Sequence, residues 1–153
     1  MLHLLRTNSD HPDFHLLIRE LDQDLWSRYE EGQADYAPHN IIQNNNHVLL
    51  AYWDQTPVGC GCFKHFDEHS VEMKRMYVQP THRGKAIAAA VLQGLEKWAL
   101  EEGYTKAVLE MGNKQPEAAK LYHKLAYTPI PLFGPYIHLD NSICLGKNLS
   151  VPA

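Results

Sequence analysis

MYVQPTHRGKAIAAAVLQGLEKWALEEGYTKAVLEM, residues 76–111, packs a strand end, a turn, a helix and a second strand into one run. Met76-Tyr77-Val78 closes an apolar stretch that begins at Ser70. Gln79-Pro80 stops it, because proline cannot donate to a ladder. Ile87, Ala90, Val91, Gly94, Leu95, Trp98 and Ala99 then recur at helical spacing until Gly103, which predicts an amphipathic helix with a glycine stop. Residues 105–111 read as a buried strand. Between strand and helix lies the basic turn Arg83-Gly84-Lys85-Ala86. The helix dipole disfavours cations at an N-terminus, so two of them there call for a bound anion. The competing reading is a plain helix start with a basic first turn.

Working outward, residues 2–6 form a short strand candidate. Phe14, Leu17, Ile18, Leu21, Leu25 and Trp26 mark a helix that Asp10 or Asp13 could cap. Residues 30–46 are polar, with Gly32, Pro38 and an asparagine run, and predict an irregular segment. The apolar runs 47–53 and 58–66 flank Asp54-Gln55-Thr56-Pro57, a hairpin signature. Downstream, Pro116 opens a helix with Ala118, Leu121, Tyr122 and Leu125 on one side. Residues 127–149 are rich in proline and aromatics and end in a strand-like stretch from Ser142. With no repeat and no linker, the order predicts a single α+β domain over residues 1–153.

The chain has 153 residues, 44% hydrophobic and 21% charged, with a formal charge of −4. That is ordinary for a globular protein and argues against nucleic acid or anionic membrane as a partner. No apolar run approaches the ~20 residues that span a bilayer. The odd count of three cysteines, Cys60, Cys62 and Cys144, in strand-like contexts points to a reducing, cytoplasmic setting. Cys60-Gly61-Cys62 has no second Cys/His pair at ligand spacing, so no metal is expected.

Residues 71–127 resemble the GCN5-related N-acetyltransferase (GNAT) family. The turn Arg83-Gly84-Lys85-Ala86-Ile87-Ala88 matches the family's Arg/Gln-x-x-Gly-x-Gly/Ala motif, and Gln115-x-x-Ala118-x-x-Leu121-Tyr122 matches its Asn-x-x-Ala-x-x-Leu-Tyr motif. Ala86 and Gln115 depart from the usual glycine and asparagine. The resemblance implies a mixed, mostly antiparallel sheet flanked by helices, with a splayed central strand pair. It further implies acetyl-CoA as acetyl donor, with its diphosphate on Arg83, Gly84, Lys85, Ala86, Ile87 and Ala88. Backbone N–H groups would carry most of that grip, so Ala86 is tolerable there if its φ is negative. The pantetheine arm would pair with the backbone of Met76, Tyr77 and Val78. Gln115 would either bond the cofactor or cap its helix.

Acetyl transfer to an amine needs a base, because an alkylamine of pKa ~10.4 is mostly protonated at neutral pH. By resemblance Glu72 occupies the place of the family's glutamate, with Glu110 as second candidate. The plain alternative pairs Glu72 with Lys74 or Arg75. Tyr122 matches the family's tyrosine facing the coenzyme sulfur, and its phenol can return a proton to the thiolate; the alternative is a core aromatic. Trp26, Tyr29 and Tyr36, with Phe133-Gly134-Pro135-Tyr136, could wall the acceptor pocket. The resemblance implies a small-molecule amine acceptor, direct attack in a ternary complex, and allows a homodimer. A non-catalytic acyl-CoA-binding module is the other reading it leaves open.

Overall fold

The computed structural model describes residues 1–28 and 44–150. Among the described residues the seven strands are β1 (Leu2–Thr7), β2 (Val48–Trp53), β3 (Thr56–His65), β4 (Ser70–Val78), β5 (Lys106–Gly112), β6 (Thr128–Ile130) and β7 (Ser142–Asn148). They form one sheet in the order β1-β2-β3-β4-β5-β7-β6. Only β4 and β5 run parallel. The helix between them, α2 (Ile87–Glu101), makes this possible, since a parallel pair needs a long crossover and a hairpin cannot supply it.

The helices divide between the two faces. Helix α2 and α3 (Pro116–Lys124) pack with Val71, Met73, Val78, Leu109 and Met111 in the larger core. On the other face, Phe14, Leu17, Ile18 and Leu21 of α1 (Pro12–Arg28) pack on Val48, Leu50, Cys60, Cys62 and Tyr77. The helical spacing of each apolar set produces this division.

Two local expectations change. Neither Asp10 nor Asp13 caps α1; the backbone N–H of Asp13 donates to His11 Nδ1 at 3.1 Å, while the Asp13 carboxylate accepts from the Tyr52 hydroxyl at 2.6 Å. The β2–β3 turn is only Asp54-Gln55, both at positive φ (48° and 76°), a geometry that matches strand twist. Pro57 therefore lies inside β3, opposite Tyr52 beside a register shift. Of the polar stretch 30–46, only 44–46 belong to the described residues.

The middle of β4 is interrupted. Cys60 pairs with Tyr77 and Cys62 with Lys74, so Arg75 and Met76 together oppose Gly61. This is a β-bulge, with Arg75 at φ 60°. A Cβ on Gly61 would lie 2.5 Å from Met76 Sδ and 2.9 Å from Leu95 Cδ1, so glycine makes the room. The Arg75 guanidinium reaches Asp22 of α1 at 2.9 Å, tying the bulge to that helix.

Candidate active site

Strands β4 and β5 pair from Ser70 opposite Lys106 to Met73 opposite Leu109, and there the ladder ends. Beyond it β5 stays paired to β7 as far as Gly112 opposite Ser142, and β4 stays on β3 through the bulge. The central strands therefore splay, leaving the β5-facing edge of residues 74–78 without a strand partner. Backbone groups on such an edge need an acceptor or donor from elsewhere.

A cleft of about 300 Å³ opens at this splay, on the side of α2 and α3. Its walls include Met76, Tyr77 and Val78 of β4, Arg83, Gly84 and Ala86 of the turn, Ile87 and Ala88 of α2, and Tyr122 of α3. The turn is built for main-chain contact. Gly84 and Ala86 have φ of 81° and 60°, and no side chain caps α2. The first intrahelical bond runs from Ala90 N–H to the Ala86 carbonyl at 3.1 Å. The amides of Ile87, Ala88 and Ala89 thus have no acceptor within the helix, which is the geometry an anion requires.

Ala86 overturns the condition set by the sequence, since its φ is positive. A left-handed alanine costs on the order of 1–2 kcal/mol. The turn tolerates that strain rather than avoiding it. The two cations of the turn are placed differently from each other. Arg83 lines the cleft, but its Nε donates to the Val78 carbonyl at 3.0 Å and its guanidinium lies over Tyr77 at 5.9 Å. Lys85 is not among the lining residues; its Nζ sits 5.2 Å from the Trp53 ring centroid. Gln115 is outside the lining too; it stands at the N-cap position of α3, but its side chain makes no capping hydrogen bond. Its Oε1 accepts from the Gly112 N–H at 2.9 Å, fastening the end of β5 to the start of α3.

Tyr122 is 7% exposed, with its ring edge-on to Tyr127 at 5.8 Å. Burial, then the Glu110 carboxylate, pushes its phenol above the usual tyrosine range. It therefore remains a proton donor throughout the neutral range.

Glu72 and Glu110 lie on the opposite face of the sheet, among side chains from four strands and a turn. Glu72 is 5% exposed. Lys64 Nζ and Lys74 Nζ lie 3.7 and 3.8 Å from its oxygens, and the Tyr136 hydroxyl lies at 3.5 Å. The carboxylate is thus engaged by Lys64 and Lys74, while Arg75 belongs to Asp22. Glu110 sits one residue past the last β4–β5 pair, at the mouth of the splay. Burial raises its carboxyl to about 6, against the lowering pull of the Ser142 hydroxyl and Lys74. Burial also lowers Lys74, with Glu72 opposing. Phe133-Gly134-Pro135-Tyr136 contributes the buried Tyr136, whose hydroxyl is 3.3 Å from Lys74 Nζ. Trp26 is 49% exposed, and Tyr29 and Tyr36 lie outside the described residues.

Several residues at the site carried no sequence signal of a place there. Leu21 and Asp24 of α1 edge the cleft, as do Glu117 and Lys124 of α3. The period of α1 marked Leu21 as core, but nothing in it said that the helix would end beside β4. Cys60, Cys62 and Cys144 are free and buried, and burial pushes the Cys62 thiol up to about 12. Among the described residues no three His, Cys, Asp or Glu side chains converge on a metal position. None of the described helices is long and apolar enough to cross a membrane.

Residues 14–127 match the sequence profile of the acetyltransferase (GNAT) family. The chain belongs to the GNAT family. It is 34% identical over 122 residues, 78% of its length, to the IAA acetyltransferase of Azospirillum brasilense, covering 80% of that protein. Its fold superposes on a structure from Klebsiella pneumoniae provisionally named an acyl-CoA N-acyltransferase. That match has TM-score 0.80 and 28% identity, and covers 98% of this chain and 99% of the other. The PaiA N-acetyltransferase of Thermoplasma acidophilum, solved with coenzyme A, shares the fold at TM-score 0.70 and 16% identity, with 97% and 99% covered. As a GNAT protein the chain is an acyltransferase, and the mixed sheet with its flanking helices is the architecture it shares with the Klebsiella structure.

Proposed function

We propose that this GNAT enzyme transfers an acetyl group from acetyl-CoA to a primary amine of a small molecule by direct attack in a ternary complex. The observation that carries the reading is the splay. It opens the sheet between a phenol on one face and a carboxyl of pKa about 6 on the other, so that an acid and a base can address one carbonyl. The unpaired edge of β4 suits the amide-bearing arm of coenzyme A, and the open amides of α2 suit its diphosphate. The small-molecule acceptor is supported by the relative's name, IAA acetyltransferase.

In this reading Glu110 is the base. Glu72 stood first in the sequence, but its carboxylate is held between Lys64 and Lys74, whereas Glu110 lies at the mouth of the splay. A carboxyl near 6 is ionised at neutral pH yet still accepts a proton readily, which suits general base catalysis. Glu110 takes the proton lost by the attacking amine as the new C–N bond forms. Backbone N–H groups on the free edge of β4 hold the developing oxyanion. Tyr122 donates its proton to the sulfur as the C–S bond breaks. Glu72 keeps Lys74 in place beside the base.

A thiol-release assay with acetyl-CoA across amines, amino acids and peptides tests the proposal. Release stimulated by a small amine supports it. Coenzyme A binding without acceptor-stimulated release from any of these classes would refute the catalytic reading.

A further inference from the structure

We infer that Ser142 is a positioning residue for Glu110: its hydroxyl donates to Oε2 at 2.7 Å and fixes the carboxyl at the mouth of the splay. The inference rests on Glu110 being the base. Glu110 stands opposite Cys144, and Gly112 opposite Ser142, so Ser142 is the diagonal cross-strand neighbour on the same face. The support is needed because β5 has already parted from β4 at this level.

Ser142 is itself held from several sides. It is 9% exposed and paired to Gly112, and its N–H donates to the Leu139 carbonyl at 3.2 Å. The adjacent Asn141 carbonyl accepts from the Asn113 N–H at 2.8 Å. The hydroxyl is therefore presented by a pinned backbone. The other charged groups acting on Glu110 are Lys74 and Glu72 from β4; facing it, and raised in part by its charge, are Tyr136 from the turn before β7, Cys144 from β7 and Tyr122 from α3. A donated hydrogen bond favours the ionised carboxyl, opposing burial. Without it the carboxyl would hold its proton to higher pH and lose its fixed direction.

The test is a carbon-13 carboxyl NMR titration of the intact protein, with the Glu110 resonance assigned by its loss in Glu110→Gln. Ser142→Ala should raise the midpoint by about one pH unit, the scale of one hydrogen bond to a charged group. Ser142→Thr, which keeps the hydroxyl, should restore it. Once an acceptor is known, the acidic limb of kcat/KM should move with the midpoint while the KM for acetyl-CoA stays put; a purely structural serine would move neither. An unmoved midpoint in Ser142→Ala overturns the inference whatever the rates do. An unmoved acidic limb in Glu110→Gln instead overturns Glu110 as base, and the inference with it.

Discussion

On the α2–α3 face, the cleft offers main-chain groups between its apolar side chains: a strand edge that β5 has left, a turn with Gly84 and Ala86 at positive φ, and the open amides of a helix start. On the α1 face, the same splay is walled by side chains, with Glu72, Lys74, Glu110, Ser142 and Tyr136 drawn from β4, β5, β7 and a turn. The difference matters because a backbone site tolerates substitution while its shape persists. A side-chain site depends on each functional group. In the proposed reaction the first half would hold a ligand of fixed, repeated chemistry, and the second would set the proton inventory and face the acceptor.

The largest effect should come from forcing a side-chain charge into the backbone half. Ala88→Asp brings a carboxylate to the first turn of α2, where an unpaired anion would meet the diphosphate. Coenzyme A affinity should fall by more than about a hundredfold, since an opposed buried charge costs ~3 kcal/mol or more. Calorimetry reads this, and unchanged binding by a folded variant would undo the assignment of the turn.

The next effects lie in the other half and separate its two carboxylates. Glu110→Gln should lower kcat/KM near pH 7.5 by about a hundredfold and abolish an acidic limb near 6, the value to which Glu110 is raised. Glu72→Gln should keep that limb. A profile in which Glu72→Gln alone loses it would return the base to β4. Glu110 also makes a prediction about folding. Its folded pKa lies above its ordinary value of 4.5, so the folded state binds this proton more tightly. The resulting stabilisation is fully present below about 4.5 and is lost as pH rises through about 6, a swing of ~2 kcal/mol. Urea midpoints of wild type and Glu110→Gln at pH 5 and pH 8 should diverge accordingly, with the variant gaining relative stability at pH 8.

In the proposed reaction Tyr122 is the side chain on which the backbone half depends. Tyr122→Phe keeps the ring and removes the donor, so turnover should fall by about ten- to a hundredfold. Coenzyme A affinity and melting temperature should hardly move. Full turnover would make Tyr122 a packing residue, and the acid would have to be sought elsewhere.

The smallest effect tests the strain in the turn. Ala86→Gly relieves a left-handed alanine but adds chain entropy to the unfolded state. The net gain should be about 0.5–1 kcal/mol, read by urea unfolding, with coenzyme A affinity unchanged. A loss of stability would mean that the alanine methyl makes a contact worth more than the strain.

What the sequence alone determined is what local chemistry can encode. Periodic apolar residues announced α2 and α3, proline and glycine marked their ends, and the turn motif announced a backbone anion cradle. These signals reach over a few residues and read equally well without a partner. The tertiary structure alone decided the sign of φ at Ala86, the turning of Lys85 to Trp53 and Arg83 to Val78, and the standing of the two glutamates. Glu72 and Glu110 are alike in composition and in strand context. They differ because β4 and β5 part between Met73 and Lys74, leaving one carboxylate between two lysines and the other beside Ser142, 32 residues away. Burial and neighbours set a carboxyl's affinity for protons, and both come from packing across the sheet.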